Sequence, residues 1–346
     1  MLYIHHSICI SPQFTFPEVN LEELVRSTDH KLYAKLIVNP DIPSAMLRRM
    51  GKAVKLAVSA SGPLLKQYQN LEGIIVGTAN GGMEDCIKFL NQIIQYEEGV
   101  LTPTNFVQST PNAIAAQIGF LSKNKGYNIT HVHRGLAFEN ALLDAFMQLD
   151  DNPGNTYLLA GIDEISDYNF NIEYLCGYIK KESVDNVHLY ESNTHGSIAG
   201  EGVAAFVVNN NQKGAFSCVK ALKMLHSTDK DEVEQAFKQF LSENFLDNES
   251  VDLLLSGENG DSRYLDYYRL MEAAVPGAAI GRYKHLSGEY QTSSAFAVWL
   301  ADYVLRQQQI PELIVKQHSG GNTIQNIVIY TNYQGLQHSF ILLSKV

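Results

Sequence analysis

Apolar runs of strand length alternate along this chain with longer amphipathic runs, and that alternation constrains the fold more than any single motif. Strands are expected near 2–11, 73–78 ("GIIVGT"), 127–132, 156–162 ("TYLLAGI"), 202–209, 214–221, 251–256 ("VDLLLS"), 324–331 and 339–345. Helices are expected near 43–60, 84–96, 110–123, 136–149, 230–244, 264–274 and 290–308. Such a series predicts an α/β protein with helices packed on buried sheets. The longest apolar blocks, such as "GVAAFVV" (202–208), stop far short of the roughly 18–20 residues of a membrane helix. The N-terminus "MLYIHHSICIS" lacks a basic n-region and reads as a strand, not a signal peptide. The polar turn "NNNQKG" (209–214) is the one weak seam, and it divides the chain into halves at 1–210 and 211–346.

Charge narrows the partners. A net charge of −11 argues against nucleic-acid binding, which needs a basic surface to neutralise phosphates. Cys9, Cys86, Cys176 and Cys218 are scattered and form no CxxC, which fits a reduced, cytoplasmic protein. "GTANGG" (77–82) lies between strand and helix but matches neither a P-loop nor GxGxxG, so no nucleotide or other cofactor is expected. His131 and His133 could share one face of a strand end, yet no third ligand accompanies them, and no metal is expected. "GSIAG" (196–200) is not a nucleophile elbow. On these residues alone the chain shows no evident catalytic set.

Several segments in order resemble the β-ketoacyl synthase branch of the thiolase-like superfamily. They are "IPSAMLRRMGKAVKLAVSAS" (42–61), "GIIVGTANGGMEDCIKFL" (73–90), "NFVQSTPNAIAAQIGF" (105–120), "YLLAGIDEIS" (157–166), "HGSIAGEGVAAFVV" (195–208) and "GRYKHLSGEYQTSSAFAVWLADYVL" (281–305). The resemblance implies a five-layer αβαβα sandwich of two similar halves. It also implies a chemistry from which this sequence departs. A ketosynthase carries a cysteine at a strand-to-helix turn, where the helix N-terminus favours the thiolate and backbone N–H groups form an oxyanion hole. The matching turn is "ITHVHRGLAFENAL" (129–142). Gly135 takes the family's glycine position and Val132 stands where the cysteine belongs. The first family histidine is replaced by Ser256 or a near neighbour in "LLSGENGD" (254–261). Lys284 and Gly288 survive, but Glu289 takes the place of the second histidine. The glycine-rich C-terminal loop appears as "YQGLQHS" (333–339), keeping only Gly335.

These losses imply a fold kept without its chemistry, as in chain-length factors. Such subunits pair with an active, cysteine-containing ketosynthase in polyketide and aryl-polyene or flexirubin-type pathways, and act with an acyl carrier protein. A homodimer is the alternative assembly. Two further readings stay open: an acyltransferase with a relocated site around Thr130, His131, His133 and Glu289, or a non-catalytic acyl- or carrier-binding module. Arg48, Arg49, Lys52 and Lys55 are expected to share a basic helix face, whether solvated or docking a carrier. By the resemblance, Phe106, Gln108, Pro111, Asn112 and Ala115 line the dimer interface and the end of the partner's acyl tunnel. Ala113, Ala115 and Ala116 would then allow close approach of a second subunit.

Overall fold

The computed structural model describes all residues except 38–41, 43, 100, 102, 246–249 and 322. Ten principal strands form two sets of five. The first set is β1 (Leu2–Ile10), β2 (Gly73–Gly77), β3 (Tyr127–His131), β4 (Thr156–Asp163) and β5 (Gly202–Asn209). The second is β6 (Ser217–His226), β7 (Leu253–Ser256), β8 (Ala279–Arg282), β9 (Asn326–Tyr333) and β10 (Gln337–Lys345). Their spatial orders are β3-β2-β4-β5-β1 and β8-β7-β9-β10-β6, the same path traced twice. In each set the first three neighbours run parallel and the last two pairings are antiparallel. β1 and β6 meet edge to edge through Leu2↔Val219, Tyr3↔Cys218 and Ile4↔Ser217, so hydrogen bonding continues across an 11-stranded sheet.

Seven helices complete the layers: α1 (Lys52–Gln67), α2 (Met83–Gln95), α3 (Ala113–Ser122), α4 (Ala137–Asp151), α5 (Lys230–Asn244), α6 (Leu265–Ala273) and α7 (Ser293–Gln307). Strand periodicity sends alternate residues to opposite faces. Ile74, Val76 and Leu158 pack outward with Leu56, Ala57 and Leu64 of α1 and Ile118 of α3. Ile75, Leu159 and Phe206 pack inward on α4 and α7, which also receive Leu255, Ile329 and Ile341 of the second set. Leu254, Val328 and Phe340 pack outward on α5 and α6. The layers are therefore helix, sheet, helix, sheet, helix, matching the thiolase-like expectation. α7 is buried along nearly its whole length, as a helix apolar on all sides must be.

Asp302 is the exception on that helix. Its buried carboxylate accepts from Ser7 Oγ and Ser217 Oγ, both at 2.6 Å, and pairs with Arg306 at 2.9 Å. One side chain thus fastens β1 and β6 where the two sets meet.

Three expectations are corrected. The first helix does not run through 43–60. A short helix, Ser44–Leu47, is followed by a turn, and Gly51 in extended conformation opens α1; position 43 lies outside the described residues. Arg48 and Arg49 therefore share no helix face with Lys52 and Lys55, and Lys52 is turned to the Glu201 carboxylate at 2.7 Å. The expected 110–123 helix begins only at Ala113, with Pro111 in the turn before it.

Candidate functional site

The turn expected to carry a nucleophile lies between the end of β3 and the start of α4. Such a place gives a side chain both the helix N-terminus and a central position. Val132 occupies it and is 52% exposed. Arg134 comes two residues later at φ +47, a left-handed conformation that few L residues adopt. Gly135 is required by packing, because a Cβ there would fall 2.2 Å from Cβ of Tyr333. Its N–H donates to Gln337 Oε1 at 3.1 Å. The turn keeps its glycine and has no cysteine at the expected position.

His131 and His133 do not converge. His131 Nε2 lies 2.8 Å from Asp144 Oδ2 on α4, and Tyr127 donates its hydroxyl to the same carboxylate at 3.0 Å. His133 has left the strand and faces Gln337 Nε2 at 3.5 Å. The expected shared face fails because β3 ends at His131, so the period of two no longer holds. The Thr130 hydroxyl is buried without a hydrogen-bond partner.

The second half supplies the rest. Ser256 is buried at the end of β7, its hydroxyl 3.4 Å from the Glu258 N–H. Lys284 is buried and pairs with Glu289 Oε1 at 2.7 Å while donating to Ser293 Oγ. Asn259 Nδ2 donates to the other Glu289 oxygen at 2.9 Å. Glu289 is therefore a held anion, closed off by a cation and an amide. Glu289, Asn259, Tyr333, Asn332, Gln291 and Glu173 border a cavity of about 30 Å³. That is room for about one water. Ser256, Val132 and both histidines lie outside its lining.

Burial shapes the acids here. Glu173 accepts from Gln291 Nε2 at 3.0 Å, and burial beside Glu289 and Asp163 pushes its carboxyl up to about 7. The Asp163–Glu164 pair ending β4 is architectural. Asp163 accepts from the Ala79, Asn80 and Thr292 N–H groups at 2.9, 2.7 and 3.1 Å, tying the two halves together. Burial still raises its carboxyl above the usual range. Glu164 accepts from the Ala53 N–H at 2.9 Å at the start of α1 and is pushed up to about 7, again by burial. Glu173 was not singled out in the sequence; it sits on an unforeseen short helix, Asp167–Leu175, with only weak amphipathic patterning and no fully buried residue.

The expected interface residues divide. Phe106 is exposed, on a short helix Pro103–Gln108, and its ring packs 5.4 Å from Phe89 of α2. Asn112 is exposed and Pro111 partly so. Gln108 is buried, and Ala115 is fully buried in the chain's own core between α3 and α1. Ala115 and Ala113 therefore do not face a second subunit; the exposed stripe of α3 is Asn112, Ala116 and Phe120, four residues apart.

Among the described residues no group of three His, Cys, Asp or Glu side chains could hold a metal ion, and no helix is long and apolar enough to cross a membrane.

Residues 27–174 match the family model of the beta-ketoacyl synthase N-terminal domain. That stretch is similar to the family's N-terminal domain, and the whole chain shares the fold of solved ketosynthases. Its fold superposes over 100% of its length on 99% of a beta-ketoacyl synthase from Burkholderia phymatum STM815, with TM-score 0.79 and 14% identity. The ishigamide ketosynthase/chain length factor aligns over 100% of this chain and 99% of that one, with TM-score 0.77 and 13% identity. The ketosynthase ApeO in complex with its chain length factor ApeC from Xenorhabdus doucetiae gives 100%, 98%, 0.77 and 10%. No curated protein sequence matches this ketosynthase-like chain.

Proposed function

We propose that this chain is a non-catalytic ketosynthase-like subunit that pairs with an active, cysteine-containing β-ketoacyl synthase and acts as its chain-length factor. The reading rests on two positions that the resemblance marks as catalytic. Val132 stands at the nucleophile turn, and Glu289 is locked to Lys284 and Asn259. Decarboxylating a malonyl thioester develops negative charge, which a fixed carboxylate opposes. The separation of His131 from His133 speaks against a relocated acyltransfer site.

The surface supports a partner. β3 is the end strand of the sheet, its outer edge unpaired among the described residues. Phe120 (70% exposed) on the neighbouring α3 and Val132 just after β3 add apolar surface beside it. An apolar patch beside an open edge is the kind of surface an obligate assembly covers. The sequence resemblance suggests the product class: a polyketide or polyene, of aryl-polyene or flexirubin type, built on an acyl carrier protein.

The test is co-expression with the neighbouring cysteine-containing ketosynthase. The two chains should co-purify, and malonyl-carrier thioester should be consumed by the mixture but not by this chain alone. Phe120→Lys should abolish co-purification, whereas Gln317→Lys, on the opposite end of the sheet, should leave it intact. Turnover by this chain alone, or a complex indifferent to Phe120→Lys, would overturn the reading.

A further inference from the structure

The outer side of β8 is guarded by a short piece of chain. The strand Val315–Gln317 meets β8 through two residue pairs, Ile280↔Gln317 and Gly281↔Val315. Lys316 is the extra residue between them, a β-bulge. A bulge re-aims a side chain and interrupts the edge. Here it sends Lys316 Nζ onto Glu258, two residues past β7, at 2.6 Å, and onto Glu272 of α6 at 2.8 Å. Glu258 is 5% exposed, and its other oxygen faces Arg282 Nη1 at 3.4 Å. The segment before this strand has anchors of its own. Ile314 is buried, and His285 Nε2 donates to the Leu313 carbonyl at 2.9 Å. Beyond it His318 is exposed and Gly320 stands in open space. The hold on residues 315–317 therefore comes chiefly from two backbone pairings and one cation shared by two carboxylates.

The edge underneath is the counterpart of β3, since each strand ends its own set of five. β3 pairs with β2 over five residues without a bulge, and Tyr127–His131 contains no Lys, Arg, Asp or Glu. Flat, uncharged edges template further strands, and short strands, bulges and charges blunt them. The cap over β8 uses all three: three residues, a bulge and Lys316. We propose that Lys316 locks this cap, and that without it copies of the chain join head to tail, β8 of one against β3 of the next. A second copy is the occupant because it carries the matching edge, open among the described residues. Uncovered, β8 offers Ala279, Ile280 and Gly281, again without charge. The contact uses a different surface on each copy, so one β3 and one β8 stay open at the ends and further copies add.

This inference does not rest on the partner-subunit reading and is tested on the full chain alone. Lys316→Met keeps the length of the side chain and removes its charge. Hydrogen exchange of the 315–317 amides should then accelerate about tenfold or more. Size-exclusion chromatography with light scattering should show species larger than wild type that grow with concentration. Lys316→Arg keeps the cation and should restore both wild-type readings. Phe120→Lys, beside β3, should suppress the larger species when added to Lys316→Met, without slowing the exchange. Should near-UV circular dichroism show Lys316→Met unfolded, Glu272→Gln decides by the same two readings, with a smaller acceleration, because it withdraws one carboxylate and leaves Glu258. Unchanged exchange at 315–317, a wild-type size despite faster exchange, larger species indifferent to Phe120→Lys, or Lys316→Arg behaving like Lys316→Met would each overturn the proposal.

Discussion

The two halves follow one strand order but treat the same edge differently. β8, the end strand of the second set, is covered by a short antiparallel strand, Val315–Gln317. Its counterpart β3 has nothing on its outer side among the described residues. Unpaired edges invite association and are normally blunted. The chain caps one edge and leaves the equivalent one open among the described residues, beside Phe120 and Val132, and it is this open edge that the proposed partner would cover. The difference lies in the connections between elements, not in the duplicated core. After α7 the chain returns to cover β8, whereas after α4 it passes directly into β4.

The largest effect is expected where the halves join. Asp302→Ala removes the acceptor shared by Ser7 and Ser217 and leaves the partly buried Arg306 without its counter-charge. Removing one partner of a buried pair costs about 3–5 kcal/mol. If both halves unfold together, urea denaturation should show a single transition moved to lower midpoint by that amount. Two separated transitions would show that the halves are independent units meeting only at β1 and β6.

A smaller effect distinguishes the halves by pH. The first half buries acids, with Glu164 pushed up to about 7 by burial. The second buries neutral histidines. His285 and His338 are pushed down to about 4, again by burial. His338 donates from Nε2 to the Ser227 carbonyl at 2.9 Å while Tyr330 donates to its Nδ1. A raised acid binds its proton more tightly when folded, so its contribution is lost as pH rises from about 4.5 to about 7. A lowered histidine acts oppositely, its contribution lost as pH falls from about 6.5 towards 4. The two slopes oppose each other in the wild type. Glu164→Gln should therefore gain on wild type by roughly 1–3 kcal/mol between pH 5 and 8, and His338→Gln should gain as pH falls below 6. Parallel curves for wild type and Glu164→Gln would remove the contrast.

Much of the architecture was legible because apolar runs in β2, β4, β5, β9 and β10 are long and flanked by turns. β8 was missed: "AIGR" has two small residues in four and little β preference, and only its parallel pairing with β7 makes it a strand. At the site, the order of motifs is what points to Val132, Ser256 and Glu289 as replaced positions. Their partners were not legible. Asn259 on Glu289, Asp144 on His131 and Glu173 on Gln291 join residues 30, 13 and 118 positions apart. Ala115 shows the reverse error. An alanine in a helix carries no mark of which face it is on, and α3 turns it inward.

The smallest expected effect is the most direct test of what the comparison means for chemistry. Val132→Cys repairs the first half's turn and leaves the second half as it is. The new thiol would sit half-exposed in the turn between β3 and α4, so alkylation by iodoacetamide should be easy. Stability should change by no more than about 0.5 kcal/mol, since the position is on the surface. Condensation should not appear. The groups that would have to stabilise charge on a malonyl thioester belong to the other half, and there Glu289 keeps its carboxylate bound to Lys284 and Asn259. Intact-mass analysis after exposure to malonyl-carrier thioester should show the variant unacylated, and carbon dioxide release should equal the blank. An acyl adduct together with decarboxylation would mean that the first half alone is sufficient for the reaction, and that Glu289 is no obstacle to it.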